Sequence, residues 1–486
     1  LTPHWLMLEA QAHRKLKQLL ALSGRRSWPH GLTLTRLVAR SLRRGDHSLF
    51  PIHEGEPSEW LLSLLLPLLL SEEPVALVAS PEWQRRILQV ELPRLAAAGL
   101  RRPLWQEITP PPQSGIWLLS FEGLVQVWQA GQLGRHQLIC AEAEQLDSLL
   151  RQAQAVRLEP HHWDALSRAC PELRESVLQL HERLSRRLLN RPLGRSPRLP
   201  IAAEDEAPLR LLLQEARQLP SPWPRWLAAQ GPQWTSWAIT DPQRLQWTLE
   251  RQPLHPLLSL EGLLQGRGAV LAGRWSPEEG RLTSLGLMDP VIVPLGDGQR
   301  DEALPLFAPR RQPLPNSEIF AVHVLDQCRR LVLGQSGLSV VLVDDDPLRQ
   351  WLTSALAAEF GSRVIHEQTA PESNGVICCR WSWWLEHQEQ LPQPCQLVIG
   401  PLPIASLEDP LTAARVEAMR RQGRDWFREL LLPEALERLQ RGVAPLRRSS
   451  GGRLAVLDGR VRARSWGHQV LQALEPWEPL ERLLPE

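Results

Sequence analysis

Short apolar runs alternate with longer amphipathic stretches through most of the chain. In the first half the apolar runs are VALVAS (75–80), GIWLLS (115–120), QLICAE (137–142) and AVLAG (269–273). The first three are each followed by a stretch with helical periodicity, and such alternation is typical of βα units in a parallel sheet. We therefore expect a parallel sheet here, to which the strand at 269–273 returns.

A second α/β series begins near residue 318. Its predicted strands are LSVVLV (338–343), RVIHE (363–367), GVICC (375–379), QLVIG (396–400) and RLAVLD (453–458). Helical stretches lie between them, as in the first series. The pattern predicts an α/β protein with two parallel-sheet domains.

Changes in this pattern set the expected domain boundaries. Residues 1–45 read as a helical lead-in and 46–150 as the first sheet domain. Residues 151–225 are rich in arginine and leucine at helical spacing and then in proline, which indicates a helical insertion followed by a linker. We expect 226–300 to return to the first domain and 301–486 to form the second.

Composition limits the class of protein and its partners. The longest apolar run, WLLSLLLPLLL (60–70), has eleven residues, whereas a membrane span needs about 20, so we predict a buried helix and no membrane partner. The 55 basic and 54 acidic residues nearly balance, so binding to nucleic acid has to come from local patches. No secretory signal is recognisable and the six cysteines form no regular framework, which favours reduced thiols in the cytoplasm.

Several pieces of the chain after residue 380 occur in a recognisable order. They are WSWW (381–384), QLVIGPLPIASLEDPL (396–411), GRDWFRELLLPEALERL (423–439), LAVLDGR (454–460) and RSWG (464–467). This stretch resembles the C-terminal domain of the DinG and XPD family of superfamily-two DNA helicases. The resemblance implies two RecA-like domains of the P-loop NTPase type, with ATP and Mg²⁺ bound between them and single-stranded nucleic acid as a partner.

The amino-terminal half resembles the same family more loosely. Trp28-Pro29-His30 stands in the helical lead-in, and SFEGLV (120–125) falls where the family has an Asn-His motif. Ser80-Pro81 stands at the position of motif one-a. The resemblance therefore implies that Ser80 contacts nucleic acid.

The phosphate-binding loop of the family is altered here. A P-loop needs glycines, a lysine on the phosphates and a Ser or Thr on Mg²⁺. The corresponding text is HEGEPSEW (53–60), in which Glu54, Gly55 and Ser58 are the remnants of a nucleotide site. Pro57 removes a backbone donor, and carboxylates there repel phosphate. No lysine occurs after Lys17.

Motif two and motif six are altered as well. Where the family reads Asp-Glu-Ala-His, this chain has Ala141 for the metal-binding aspartate and Glu142 for the catalytic glutamate. Where the family reads Gln-Gly-x-Gly-Arg-x-x-Arg, this chain has RGVAPLRR (441–448), with Pro445 at the arginine finger and Arg448 retained. An arginine finger is worth about 10³–10⁵ in rate in related enzymes. Three damaged motifs predict that ATP hydrolysis is lost.

Cofactors and partners follow from the same residues. An iron–sulfur cluster needs four cysteines, but only Cys140 and Cys170 occur between 85 and 225, so neither a cluster nor another cofactor is expected. The carboxy-terminal arginines, which are residues 441, 447, 448, 453, 460, 462 and 464, form either a phosphate-binding face for single-stranded nucleic acid or an ordinary solvated face. Of these we assign Arg441, Arg447 and Arg448 as nucleic-acid contacts. The protein partner stays unknown.

Three functions remain open. The first is a helicase relative without catalysis that binds nucleic acid or a repair partner. The second is an active ATP-dependent DNA helicase with atypical motifs, and the third is a structural subunit that only binds protein. A receiver-like reading of VVLVDDDPLRQ (340–350) is set aside, because no lysine follows; Asp346 is instead predicted to cap a helix that starts at Pro347.

Overall fold

The protein is described here from a computed structural model. The described residues are 6–23, 28–53, 56, 59–111, 115–190, 198–201, 203–241, 244–274, 285–287, 289–296, 302–448, 451–480 and 483. The chain divides into two compact units. The first consists of Leu1–Leu189 with Ile201–Gly298, and the second of Asn190–Pro200 with Gln299–Glu486.

A parallel sheet forms the centre of the first unit. Within the described ranges its seven strands are, in spatial order, β11 (Val291–Ile292), β1 (His47–Pro51), β10 (Ala269–Gly273), β5 (Gln137–Cys140), β2 (Val75–Val78), β4 (Ile116–Leu119) and β3 (Leu104–Trp105). The four strands predicted from the apolar runs are all present, and β10 pairs with β1 and β5 as expected. The pattern did not predict β1, β3 and β11.

Helices cover both faces of this sheet, because alternate strand residues point to opposite sides. One face carries α1 (Leu6–Ser23), α2 (Gly31–Arg44), α3 (Trp60–Leu70), α4 (Pro81–Arg86) and α5 (Leu92–Ala97), and the other carries α6 (Phe121–Gln129) and α7 (Leu146–Ala153). The apolar run predicted as a buried helix is α3, whose side chains are buried from Trp60 to Leu69. None of the described helices has both the length and the hydropathy to span a membrane.

The insertion in the first unit is larger than predicted. It contains α8 (Pro160–Ala169), α9 (Arg174–Leu189), α10 (Ala203–Glu215), α11 (Trp223–Ala228) and the antiparallel strands β6 (Val156–Leu158), β9 (Gln246–Pro253) and β8 (Trp234–Asp241). Residues 234–253 therefore do not return to the parallel sheet, in contrast to the boundary drawn at 226. Strand β9 buries Glu250, Arg251 and Gln252, so its sequence lacks the apolar pattern that would have identified it.

The second unit is built on another parallel sheet. Its described strands are, in spatial order, β14 (Val364–His366), β15 (Val376–Cys379), β13 (Ser339–Leu342), β16 (Gln396–Ile399), β17 (Arg453–Val456), β12 (Leu304–Phe307) and β18 (Trp477–Pro479). The five predicted strands are confirmed, and β12 and β18 were missed. A further short strand, β7 (Arg198–Pro200), is part of this unit by its contacts, although the chain on either side of 190–200 belongs to the first unit.

Two apolar layers enclose the second sheet. The helices are α12 (Phe320–Leu333), α13 (Asp346–Phe360), α14 (Trp381–His387), α15 (Pro410–Arg421), α16 (Leu432–Arg447), α17 (Arg460–Ala463) and α18 (Gly467–Ala473). Residues of α12 and α13 pack on one face, and residues of α14, α16 and α18 pack on the other. The adjacent cysteines of β15, Cys378 and Cys379, are buried within these layers.

The start of α13 corrects one prediction. The capping residue is Asp345, whose carboxylate accepts a hydrogen bond from the backbone N–H of Leu348, and Asp346 is already the first helical residue. The first N–H groups of a helix have no partner within the helix, so proline is accommodated at the second helical position as well as at the first. The helix therefore starts one residue earlier than the sequence indicated.

Candidate nucleotide site

Two parallel strands bring Ser80 and Glu142 together at the carboxyl edge of the first sheet. Strands β2 and β5 are neighbours in register, with Val78 opposite Cys140, so the residues that follow them lie side by side. The backbone N–H of Ser80 donates to Oε2 of Glu142 at 2.6 Å, and its hydroxyl donates to Oε1 at 2.7 Å. Ser80 is also the N-cap of α4. Both carboxylate oxygens of Glu142 are thus bound within the protein.

Burial controls the ionisation of Glu142. The residue is 2% exposed, and desolvation raises its pKa to about 7, helped by the negative charges of Glu144 and Glu82 and opposed by the hydrogen bonds from Ser80. Ala141, which stands where the metal-binding aspartate is expected, is fully buried and has no polar group. At neutral pH the carboxyl of Glu142 is therefore only partly ionised.

The next acid along the chain, Glu144, faces the end of β10. Its Oε2 accepts a hydrogen bond from the backbone N–H of Arg274 at 3.2 Å. A Cβ atom on Gly273 would lie 2.1 Å from that oxygen, and Gly273 has a φ of +154°, so only glycine fits between β10 and this carboxylate. Glu144 is therefore held against the strand end.

Glu56 stands in the middle of the altered phosphate-binding loop. Glu54, Gly55, Pro57 and Ser58 lie outside the described residues, whereas Glu56 is described. Its Oε2 accepts a hydrogen bond from the indole N–H of Trp28 at 2.6 Å, and its carbonyl accepts one from Nη2 of Arg274 at 2.8 Å. The loop after β1 thus places a carboxylate, bound to a tryptophan, in the region where a phosphate loop is expected.

The motif-six segment forms the last turns of α16, on the apolar face of the second sheet. Pro445, at the arginine-finger position, is buried and its carbonyl accepts a hydrogen bond from Nε2 of Gln393 at 2.6 Å. Gly442 lies directly against Trp381, because an added Cβ would come within 2.4 Å of the indole ring. Its carbonyl accepts the indole N–H of Trp384 at 2.9 Å. The retained glycine is therefore explained by packing.

The predicted nucleic-acid residues of the second unit have different surroundings. Arg447 donates to the backbone carbonyls of residues 474, 475 and 476, and burial lowers its pKa. Arg448 forms a bidentate ion pair with Glu389 at 2.6 and 3.1 Å. Arg441 is half-buried, and its side chain makes no ion pair with a described residue. The three side chains differ in their partners, and their role in nucleic-acid binding stays a prediction.

The remaining carboxy-terminal arginines also separate into two groups. Arg453 is buried and donates to the side chain of Gln396 at 2.6 Å. Arg460 pairs with the fully buried Asp458 at 2.7 Å, whereas Arg462 and Arg464 are exposed. Four of the seven arginines therefore hold the fold together.

Sequence reasoning missed the long-range partners of this region. Asp458 accepts the backbone N–H of Leu402 at 2.8 Å in addition to its ion pair, so it joins the ends of β16 and β17. The contact of Trp28 with Glu56 was missed as well, although both residues stand in recognisable segments. Glu142 and Asp458 each follow a strand, and this position was a usable signal, because the carboxyl ends of parallel strands lie at one edge of a sheet. No such signal in the sequence pointed to the partner of Glu56.

Histidine, cysteine and acidic side chains are spread through the described part of the chain. Within the described ranges, nowhere do three or more histidine, cysteine, aspartate or glutamate side chains gather as metal ligands would. Cys140 ends β5 and Cys170 lies in the insertion, and both are buried free thiols. Burial raises the pKa of Cys140 far above its ordinary range, so its thiol is held in the neutral form.

Comparison with known proteins gives local sequence similarity and a fold likeness over most of the chain. No family model matches. The ATP-dependent DNA helicase YoaA of Haemophilus influenzae is 30% identical over 125 residues, which are 25% of this chain and 20% of that helicase. The 3'-5' exonuclease DinG of Bacillus subtilis is 36% identical over 80 residues, which are 16% of this chain and 9% of that protein.

The likeness to solved structures is broader. A structure entitled XPD helicase matches with a TM-score of 0.60 and 11% identity, and the match covers 93% of this chain and 98% of that one. At this identity the match shows the fold, which is a pair of RecA-like parallel-sheet domains. The aligned parts of the curated relatives amount to a fifth of their length or less.

Proposed function

We propose that this chain, which is related to the DinG and XPD-type superfamily-two helicases, keeps the helicase fold without hydrolysing ATP and acts as a nucleic-acid-binding or repair-associated protein. The relationship rests on the sequence similarity to YoaA and DinG and on the fold shared with XPD helicase. The loss of turnover and the nucleic-acid partner are inferences from the residues.

The main support for the loss of turnover is the hydrogen-bonded pair of Ser80 and Glu142. Hydrolysis of a nucleoside triphosphate needs a magnesium ligand on the strand end and a carboxylate free to orient water. Here the ligand position is Ala141, and both oxygens of Glu142 accept hydrogen bonds from Ser80 in a buried setting. The residues present therefore do not fit a magnesium nucleotide.

The loop after β1 adds an electrostatic argument. Glu56 places a negative charge near the end of β1, with the Trp28 indole as its hydrogen-bond donor. A like charge 4 Å from a phosphate costs about 4 kcal/mol at an effective dielectric of 20. No lysine occurs beyond residue 17, and the nearby Arg274 guanidinium already donates to the carbonyl of Glu56 at 2.8 Å. We infer that the triphosphate is disfavoured even before catalysis is considered.

Nucleic-acid binding is proposed from the relatives. YoaA is named as an ATP-dependent DNA helicase, and the segment that resembles the family includes the arginine-rich end of this chain. The net charge of the whole chain is +1, so the interaction has to rest on a local surface. Of the residues predicted for it, Ser80, Arg447 and Arg448 already have partners within the protein.

ATP turnover by the purified chain is the decisive measurement. We expect Mg-ATP to leave the melting temperature unchanged and to yield no phosphate above background, with or without single-stranded DNA. The Glu142→Gln variant is the matched control, because phosphate release from a contaminating ATPase would persist in it. DNA-stimulated release that disappears in this variant would overturn the proposal in favour of an active helicase with atypical motifs.

A further inference from the structure

The second unit has an exposed surface where arginines and aromatic rings meet. It combines residues from the end of α15, from the segment after it, from α17 and from the segment just before α18. We name it the basic–aromatic patch; its residues are Arg420, Arg462, Arg464, Trp426, Phe427 and Trp466. The three arginines are exposed and the three rings are half-buried, so part of each ring remains accessible to a ligand.

The rings of the patch form a continuous series. The guanidinium carbon of Arg420 lies 5.0 Å from the centroid of the Trp426 ring. Trp426 contacts Phe427 edge-on at 6.0 Å, and Phe427 contacts Trp466 at 5.4 Å. This series joins two segments that are 40 residues apart in sequence, which explains why the arginine run alone did not reveal it.

The patch carries an excess of positive charge. No described carboxylate forms an ion pair with Arg420 or Arg464, and Arg462 makes one hydrogen bond, to the carbonyl of Ala308 at 3.3 Å. The arginines around the patch are paired, Arg421 with Glu417 and Arg424 with Glu429. Arg420 thus lies against the Trp426 ring, and Arg464 stands two residues before Trp466 in sequence, both without an ion-pair partner among the described carboxylates.

We propose that the basic–aromatic patch binds single-stranded nucleic acid, with the arginines on phosphates and the rings of Trp426 and Trp466 stacking on bases. This assignment rests on the proposed nucleic-acid function and gives it a location. Surfaces that bind single strands without sequence preference combine these two features, positive charge along the backbone and aromatic faces for the bases. An acidic protein segment would use the charges but has no bases to stack on the rings.

This location differs from the one predicted on the sequence. Arg447 and Arg448 have the backbone of 474–476 and Glu389 as their partners, so a phosphate would have to displace those contacts. Arg420 and Arg464 have no such competition within the described part of the chain. Neutralising Arg420 and Arg464 should therefore weaken binding and affect stability only through the loss of the Arg420–Trp426 contact.

Binding of a fluorescein-labelled oligothymidylate, followed by anisotropy between about 50 and 200 mM salt, tests the patch on the full chain. For the double variant Arg420→Gln/Arg464→Gln we expect affinity at the lower salt to fall about tenfold or more. The slope of log K against log salt should become shallower by about 1.4, since each phosphate contact to a single strand contributes about 0.7.

Stacking is tested separately from charge. We expect Trp426→Ala to lower affinity by about 5- to 150-fold, the equivalent of one lost base–aromatic stack, without changing the salt slope. Trp426→Phe should keep most of the affinity. The matched control is Arg330→Gln/Arg363→Gln in the same unit, which removes one paired surface arginine and one arginine that lies 5.5 Å from the Phe360 ring. This control should bind as the wild type does.

The outcomes separate the patch from the general function. If the wild type binds the oligonucleotide and both patch variants, folded by their melting curves, bind equally well, the location is wrong and the nucleic-acid function stands. Equal losses in the control and patch variants would also refute the location. If the wild type does not bind at the lower salt, both proposals fail, and the remaining hypothesis is a structural subunit that binds protein.

Discussion

The substitution Glu142→Gln should make the stability of the first unit less dependent on pH. The carboxyl of Glu142 is 2% exposed and its pKa is raised to about 7, from an ordinary value of 4.5. At about 1.4 kcal/mol for each pKa unit, this shift corresponds to roughly 3 kcal/mol of unfavourable free energy for the charged form in the folded state. Glutamine cannot ionise, so the variant avoids that cost at every pH.

The sign of the effect follows from proton binding. In the unfolded chain Glu142 loses its proton near pH 4.5, whereas in the folded chain it keeps the proton until about pH 7. Between these values the folded state binds more protons, so the free energy of unfolding of the wild type falls as pH rises. It levels off above about pH 7. The variant lacks this fall, while the other titrating groups contribute equally to both proteins.

The measurement is thermal or urea unfolding of both proteins at pH 5 and at pH 8, with tryptophan fluorescence as the signal. The advantage of the variant over the wild type should be greater at pH 8 than at pH 5, by up to roughly 3 kcal/mol. Glu122→Gln serves as the control, because Glu122 is an exposed acid in the same unit. A difference between variant and wild type that stays constant with pH, or that favours the wild type at pH 8, would refute the argument from burial.

Three further substitutions test contacts that the sequence did not reveal. Gly442→Ala should lower the free energy of unfolding by about 1–3 kcal/mol, since the added methyl meets Trp381 at 2.4 Å; an unchanged melting temperature would contradict this. Gly273→Ala should destabilise the first unit by a similar amount, because the new Cβ meets Glu144, and unfolding curves check it. Arg447→Gln should cost about 1 kcal/mol, because the part-buried hydrogen bond to the carbonyl of Leu474 is lost, whereas the bonds to residues 475 and 476 are exposed; a loss of oligonucleotide affinity without a loss of stability would instead support the predicted nucleic-acid role.

The regular part of the fold was predictable because parallel strands bury both faces. Runs such as 138–140 and 340–342 are apolar without interruption, and every predicted strand is present in one of the two sheets. Strands with buried charge gave no such signal. In β9, Arg251 is buried because its guanidinium donates to Ser236 and to the carbonyls of Trp226 and Ala229, partners that a local pattern cannot supply.

The sequence identified individual residues of the candidate site but not the contacts between them. Ser80 and Glu142 were each identified from position in the chain, yet the bond between them requires the register of β2 and β5, which is a property of the assembled sheet. The surroundings of the arginine-rich end were likewise not visible in the sequence. Closeness in sequence grouped Arg447, Arg453 and Arg464. In the structure, Arg447 and Arg453 donate to groups within the protein and Arg464 is exposed.

The residues that this chain shares with its relatives therefore need a physical reading before they count as evidence of activity. Gly442 matches motif six, but Trp381 and Trp384 account for it. Glu142 matches motif two, but Ser80 binds both of its oxygens. In each case the side chain or backbone stabilises the sheet edge or the core, and such contacts persist without any nucleotide. A nucleotide site needs free donors and a metal ligand in addition to the fold, and those are the elements that Ala141 and Pro445 do not provide.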